Sequence, residues 1–147
     1  MEVMQFKAEH FDYLLENGIT DAKLKPWLKK EHGISLEAGN ETYTILDDDK
    51  KPVVIGGIRQ YWFNRGEAWL IIGNTKRKDF IKIHKIVQKF LDLSPIKRIE
   101  MVVDYNYLEG HRWAHTLGFK KEAECLKCYR SDGGDVSLYA MVKQNES

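Results

Sequence analysis

Two groups of residues in this 147-residue chain have types and spacings that could do chemistry. The first is His111 and His115, followed by Cys125 and Cys128 in a C-x-x-C spacing. Imidazoles at i and i+4 lie on one helix face, and imidazole with thiolate is a zinc ligand set. The cysteine half argues against a shared metal. Residues three apart in a strand point to opposite faces, and "CLKC" reads as strand, so both sulfurs converge only if the stretch leaves the strand for a turn. No metal site is expected. The second group is Lys76, Arg77 and Lys78, which open a helical pattern carrying six Lys or Arg against one Asp between Lys76 and Leu91. A helix N-terminus already favours anions through its unbonded N–H groups and its dipole, so three cations there make a candidate anion site. A solvated helix face explains the same charges without a ligand.

These groups need elements to position them. "VMQFK" suits a strand, and "AEHFDYLLENG" suits a helix with Phe11, Leu14 and Leu15 on one side and Gly18 as its stop. "DAKLKPWLKKEHG" reads as a second helix, capped by Asp21 and divided or kinked by Pro26. Thr42 to Asn74 contains three strands separated by the "DDDKK" and "NRG" turns. Phe80, Ile83, Val87 and Phe90 or Leu91 give a helix from Lys76 to about Leu91, and "RIEMVVD" a buried strand. A short helix with both histidines follows, then a hairpin of "KKEAECLKCYR" and "DVSLYAMVK" around "SDGG". Strands joined by tight turns should be antiparallel and strands joined through helices parallel. The expectation is an α+β chain, with about seven strands in a mixed, mostly antiparallel sheet and about four helices.

Composition narrows the classes. With 43% apolar residues the chain can bury one core, so residues 1–147 are expected to form a single domain. The 23 basic and 22 acidic residues nearly cancel, which leaves no overall nucleic-acid or membrane footprint. No apolar run has the length of a membrane span, the opening residues lack a secretory pattern, and two cysteines fit a reducing compartment. A cytoplasmic protein is expected. Nucleic acid is not an expected partner, because no stacking aromatics accompany the basic helix.

The element order and two stretches resemble the GCN5-related N-acetyltransferase (GNAT) superfamily. "LGF", Leu117 to Phe119, matches the close of its last helix, with Gly110 in a small-residue slot and Trp113 facing the sheet. Tyr107 stands where an Asn is expected, and Ala114 where active members carry the tyrosine that protonates the leaving thiolate. In "TKRKDF", Thr75 to Phe80, Lys78 and Phe80 occupy slots where active members have small residues that admit the pyrophosphate of acetyl-CoA. The resemblance implies acetyl-CoA as cofactor. Lys76, Arg77 and Lys78 would replace the lost backbone contacts with charge, while Ile71, Ile72 and Gly73 offer strand-edge amides to the pantetheine arm. Acyl transfer to an amine also needs a base and an acid. Glu67, near the start of the fourth strand, is the candidate base, acting directly or through water. Tyr105, Tyr107 and His111, beyond the C-terminal end of the fifth strand, are candidates for the missing acid.

A narrower resemblance rests on "VIGG", "AWLI…KRK" and "LGF…E…DGG…Y". These stretches look like the small acetyltransferase-like internal virion or virion-assembly proteins of short-tailed phages related to coliphage T-seven. That implies a protein made in the host cytoplasm, used in the virion or against a host protein, with degenerate motifs and weak or no acetyl transfer. Two alternatives stand beside it. One is an active N-acetyltransferase moving the acetyl group to an amine; the other is a protein or nucleic-acid binding module with Trp62 and Phe63 as its patch.

Overall fold

The computed structural model describes residues 1–18 and 41–143. Its strands are β1 (Glu2–Gln5), β2 (Thr42–Leu46), β3 (Pro52–Trp62), β4 (Arg65–Ile72), β5 (Arg98–Asp104), β6 (Lys120–Leu126) and β7 (Val136–Val142). Its helices are α1 (Ala8–Asn17), α2 (Arg77–Leu93) and α3 (Leu108–Thr116). The helix expected over Asp21–Gly33 lies outside the described residues. The strands form one seven-stranded mixed sheet in the order β1-β2-β3-β4-β5-β7-β6.

The rule for strands joined through helices holds at one place and fails at another. β4 and β5, linked by α2, pair in parallel, with Arg65, Gly66 and Glu67 opposite Arg98, Ile99 and Glu100. β1 and β2, with α1 between them, pair antiparallel from Glu2↔Leu46 to Gln5↔Tyr43. The rule holds for a single crossover between neighbouring strands of one sheet.

Contacts divide the chain into two compact units: Met1–Arg59 with Trp69–Asp92, and Gln60–Ala68 with Leu93–Ser147. In the first, Phe6, Phe11, Leu14, Ile55 and Ile71 form the core, with Tyr13, Leu15 and Trp69 packed on it. Full burial of Phe11 and Leu14 contributes roughly 1.5–3 kcal/mol each, which fixes the inner face of α1. His10, not foreseen from the apolar pattern, is also buried there, its Nδ1 2.8 Å from Thr44 Oγ1 and accepting from the Lys7 N–H at 3.1 Å. The expected outer boundary at Leu15 is only half-buried.

In the second unit β7 lies between β5 and β6, pairing antiparallel with both. Helix α3 packs closely on β5 at Gly110, where a Cβ would stand 2.7 Å from Val103 Cγ1. The "LGF" stretch ends α3 as expected. Gly118 takes φ 100°, and the Phe119 N–H reaches back 3.0 Å to the Ala114 carbonyl. Leu117 and Phe119 are buried, and Trp113 is half-buried. β6 ends at Leu126, so Cys125 is a half-buried strand residue and Cys128 an exposed turn residue with φ 53°. Among the described residues no helix is long and apolar enough to cross a membrane.

Candidate functional site

In the first unit, Lys76, Arg77 and Lys78 are all exposed at the start of α2. The Lys76 carbonyl accepts the N–H groups of Asp79 and Phe80, each at 3.0 Å. Among the described residues the N–H groups of Arg77 and Lys78 have no partner, as a first helical turn requires. Asp48 draws some of this positive charge: its carboxyl is held below the usual range by the Met1 ammonium first, then by Lys82 and Lys78. The neighbouring strand end is less available than expected. Ile71 is a core residue and Ile72 half-buried, and the Gly73 N–H is spent on the Val53 carbonyl at 2.7 Å. The amide expected at Gly73 for a pantetheine arm is thus already engaged within the sheet. Its glycine has a packing reason instead, since a Cβ would stand 2.7 Å from Leu14 Cδ2.

The second unit holds a charge network that the sequence reading missed. Arg65-Gly66-Glu67 and Arg98-Ile99-Glu100 are the same Arg-x-Glu pattern, laid side by side in parallel register. Like charges directly opposite repel. The conflict is relieved across the ladder: Arg65 forks onto Glu100 (Nε to Oε2 2.9 Å, Nη2 to Oε1 3.0 Å), and Arg98 Nε donates to the same carboxylate at 2.6 Å. The far end of Arg98 forks onto Glu122 at 3.0 and 2.5 Å. Arg65 also lies over the rings of Tyr61 and Trp62, 4.8 and 4.7 Å from their centroids. Glu100 is only 7% exposed, and its carboxyl is held below its usual range mainly by the Arg65 guanidinium, with Arg98 assisting. Arg98 lowers Glu122 likewise. The signal that could have revealed this is the repeated Arg-x-Glu on two consecutive strands of a parallel pair.

Glu67, the candidate base, is half-buried and accepts a hydrogen bond from the Tyr61 hydroxyl to Oε2 at 2.7 Å. Among the described residues it makes no ion pair. Tyr129, from the turn after β6, is near enough that Glu67, after burial itself, raises its phenol above the usual range.

The three candidate acids are placed differently. His111 donates from Nε2 to the Tyr105 carbonyl at 3.0 Å, since a carbonyl can only accept. In the neutral ring Nδ1 is then an acceptor, and it takes the Tyr139 hydroxyl at 2.7 Å. Both nitrogens are engaged, and the imidazole ties the end of β5 and helix α3 to β7. Tyr107 is half-buried, with its ring against Gly110, and its N–H donates to the Asp104 carbonyl at 3.0 Å. Tyr105 is exposed, and among the described residues its hydroxyl makes no hydrogen bond. Ala114 is fully buried. His115 is exposed, and among the described residues no group of three or more His, Cys, Asp and Glu is placed to hold a metal ion.

No family model matches the chain, and no curated protein matches its sequence. Solved structures do match. Ard1 from Thermoplasma volcanium superposes with a TM-score of 0.78 at 13% identity, covering 98% of each chain. An acetyltransferase of the GNAT family from Bacillus anthracis gives 0.69 at 14% identity over 95% of this chain and 93% of that one. The ribosomal-protein-S5-alanine acetyltransferase from Vibrio fischeri gives 0.67 at 12% identity over 99% and 94%. Likeness at these identities is a statement about architecture: the chain has the GNAT fold.

Proposed function

We propose that this GNAT-fold protein transfers an acetyl group from acetyl-CoA to an amine. The observation that carries the proposal is Glu67, a half-buried carboxylate with no cation partner among the described residues and one oxygen already fixed by Tyr61. Bound acetyl-CoA supplies the thioester acetyl group. Within the first unit, the exposed ammonium and guanidinium groups of Lys76, Arg77 and Lys78, with the N–H groups of Arg77 and Lys78 unpartnered among the described residues, suit a phosphate group. Glu67 takes a proton from the incoming ammonium at Oε1, the oxygen Tyr61 leaves open, so that the neutral amine can attack. We assign the acid for the departing thiolate to Tyr105, which is exposed and whose hydroxyl makes no hydrogen bond among the described residues, whereas both His111 nitrogens are engaged.

Calorimetric titration with acetyl-CoA, against desulfo-CoA and ATP, tests this. The expected result is micromolar binding, about −8 kcal/mol, preferred over ATP and at least about tenfold weaker in the K76Q/R77Q/K78Q variant. Glu67→Gln should bind acetyl-CoA normally and lose transfer by roughly 100-fold or more. Absence of heat at millimolar ligand with the protein folded overturns the proposal. That result would favour a second reading, a phage virion-assembly or host-directed factor that keeps the fold without the chemistry. The buried Ala114, in the slot where the resemblance expects a tyrosine, supports that reading.

A further inference from the structure

The two helices of the first unit carry opposite charge in matching patterns. The carboxylates of α1 are Glu9, Asp12 and Glu16, and no lysine or arginine lies between Ala8 and Asn17. Glu9 and Glu16 are exposed and Asp12 is half-buried. On α2, Lys78, Lys82, Lys85 and Lys89 are all exposed. Steps of four, three and four residues keep these ammonium groups on one strip of the helix, and steps of three and four do the same for the carboxylates.

Solvation alone does not require single-sign strips. Like charges four residues apart on a helix repel, and both strips contain such neighbours: Asp12 with Glu16, Lys78 with Lys82, and Lys85 with Lys89. Relief from within the chain is slight. Among the described residues the three α1 carboxylates make no ion pair, and Lys51 lies over the Tyr13 ring, 5.9 Å from its centroid, instead of meeting one of them. Lys82 Nζ stands 3.9 Å from Asp48, a loose surface contact, while Lys85 and Lys89 make no ion pair among the described residues.

Nor can the two strips meet in one molecule. His10 of α1 has its Nδ1 2.8 Å from Thr44 Oγ1, whereas Phe90 of α2 packs edge-on against Tyr43, with ring centroids 5.4 Å apart. Tyr43 and Thr44 are consecutive in β2 and point to opposite faces of the sheet, so α1 and α2 cover opposite faces of this unit.

We infer that the lysine strip of α2 docks on the carboxylate strip of α1 in a second copy of this chain. The steps agree. Glu9, Asp12 and Glu16 are three and then four residues apart, as are Lys82, Lys85 and Lys89 read forward and Lys85, Lys82 and Lys78 read backward. In either direction three opposite charges align along about 10.5 Å of helix. Two different strips on opposite faces make the contact head-to-tail, so a pair of copies leaves one strip of each sign open for a further copy or for ring closure. Exposed ion pairs are individually weak and screened by salt, so the association is reversible and depends on concentration and ionic strength. It does not depend on acetyl transfer.

The test is sedimentation equilibrium of the whole protein with charge reversals on either helix. The parent should self-associate at an ionic strength of about 0.01 M and at least about tenfold more weakly at about 0.15 M, where the Debye length has fallen from about 30 Å to about 8 Å. K82E/K85E/K89E and E9K/D12K/E16K should each be monomeric alone and should associate with one another when mixed. The chain carrying all six reversals should self-associate as the parent does. K82Q/K85Q/K89Q, which introduces no repulsion, should also be monomeric and gives the same reading if a reversed chain fails to fold by thermal melt. A parent that stays monomeric at low salt, a triple variant that associates as the parent does, or two folded reversed chains that ignore each other would each overturn the contact. Salt-sensitive retention of the parent on heparin through Lys82, Lys85 and Lys89, without self-association, would assign that face to a polyanion and overturn it as well.

Discussion

The basic turn at Lys76–Lys78 and the Arg-x-Glu ladder of β4 and β5 are both concentrations of charge, yet they hold it in opposite ways. The first presents three exposed cations to solvent, with one exposed carboxylate, Asp48, drawing on the same basic face. The second commits two guanidinium groups to a carboxylate that is 7% exposed, through bonds of 2.6–3.0 Å. Charge pinned this way is spent on structure, and a ligand could claim it only by breaking the fold locally. Charge in the first pattern contributes little to stability and remains available. Glu67 belongs to the ladder by position and to the available class by partner.

That contrast can be broken by substitution. Glu100→Gln should cost about 2–3 kcal/mol in urea unfolding. This lies just below the roughly 3–5 kcal/mol for removing one partner of a fully buried pair, because both arginines are partly exposed. A loss under about 0.5 kcal/mol would place the ladder with ordinary surface pairs. Acid unfolding sharpens the point. Glu100 and Glu122 titrate below their ordinary value of 4.5 in the folded protein, so the unfolded chain binds more protons just below that value. Their stabilisation is therefore complete above that pH and lost as pH falls through the folded values; Arg98→Ala should flatten this loss. Tyr139→Phe strips His111 Nδ1 of its donor and should cost about 1 kcal/mol by thermal melting. The smallest effect is expected from neutralising Lys76, Arg77 and Lys78 together, within about 0.5 kcal/mol of the parent by the same melt. A large loss there would mean that the turn is structural after all.

Much of the architecture was legible because it depends on local pattern. Phe11 and Leu14 one turn apart, the three-four spacing through Ile83 and Leu91, and the Leu-Gly-Phe stop each identified an element, and those anchors are buried, whereas Leu15, Phe80, Val87 and Phe90 on the same expected faces are only half-buried. The antiparallel pairing of β1 with β2 was not legible, since it depends on where a long connection returns. The site was legible as residue types and not as partnerships. Gly73 and His111 were read as available groups, yet the Gly73 amide and both His111 nitrogens are engaged by Val53, Tyr105 and Tyr139, which come from other strands or lie beyond the end of β5. Glu100 was hidden inside a strand read as apolar because its burial depends on Arg65, which lies on the neighbouring strand.

The position of β7 constrains how the second unit can assemble. β6 precedes it in sequence yet reaches the rest of the sheet only through it, with β5 on its other side. Until Val136–Val142 has left the ribosome, β6 has no neighbour to join, and Tyr139 has not arrived to meet His111. β6 and β7 can pair locally as a hairpin across their short turn, but docking that hairpin on β5 through β7 closes a longer loop, so this half of the molecule should gain its full order late. During synthesis it is a client for protection from wrong strand pairing, and its vulnerable interval ends with the last paired residue.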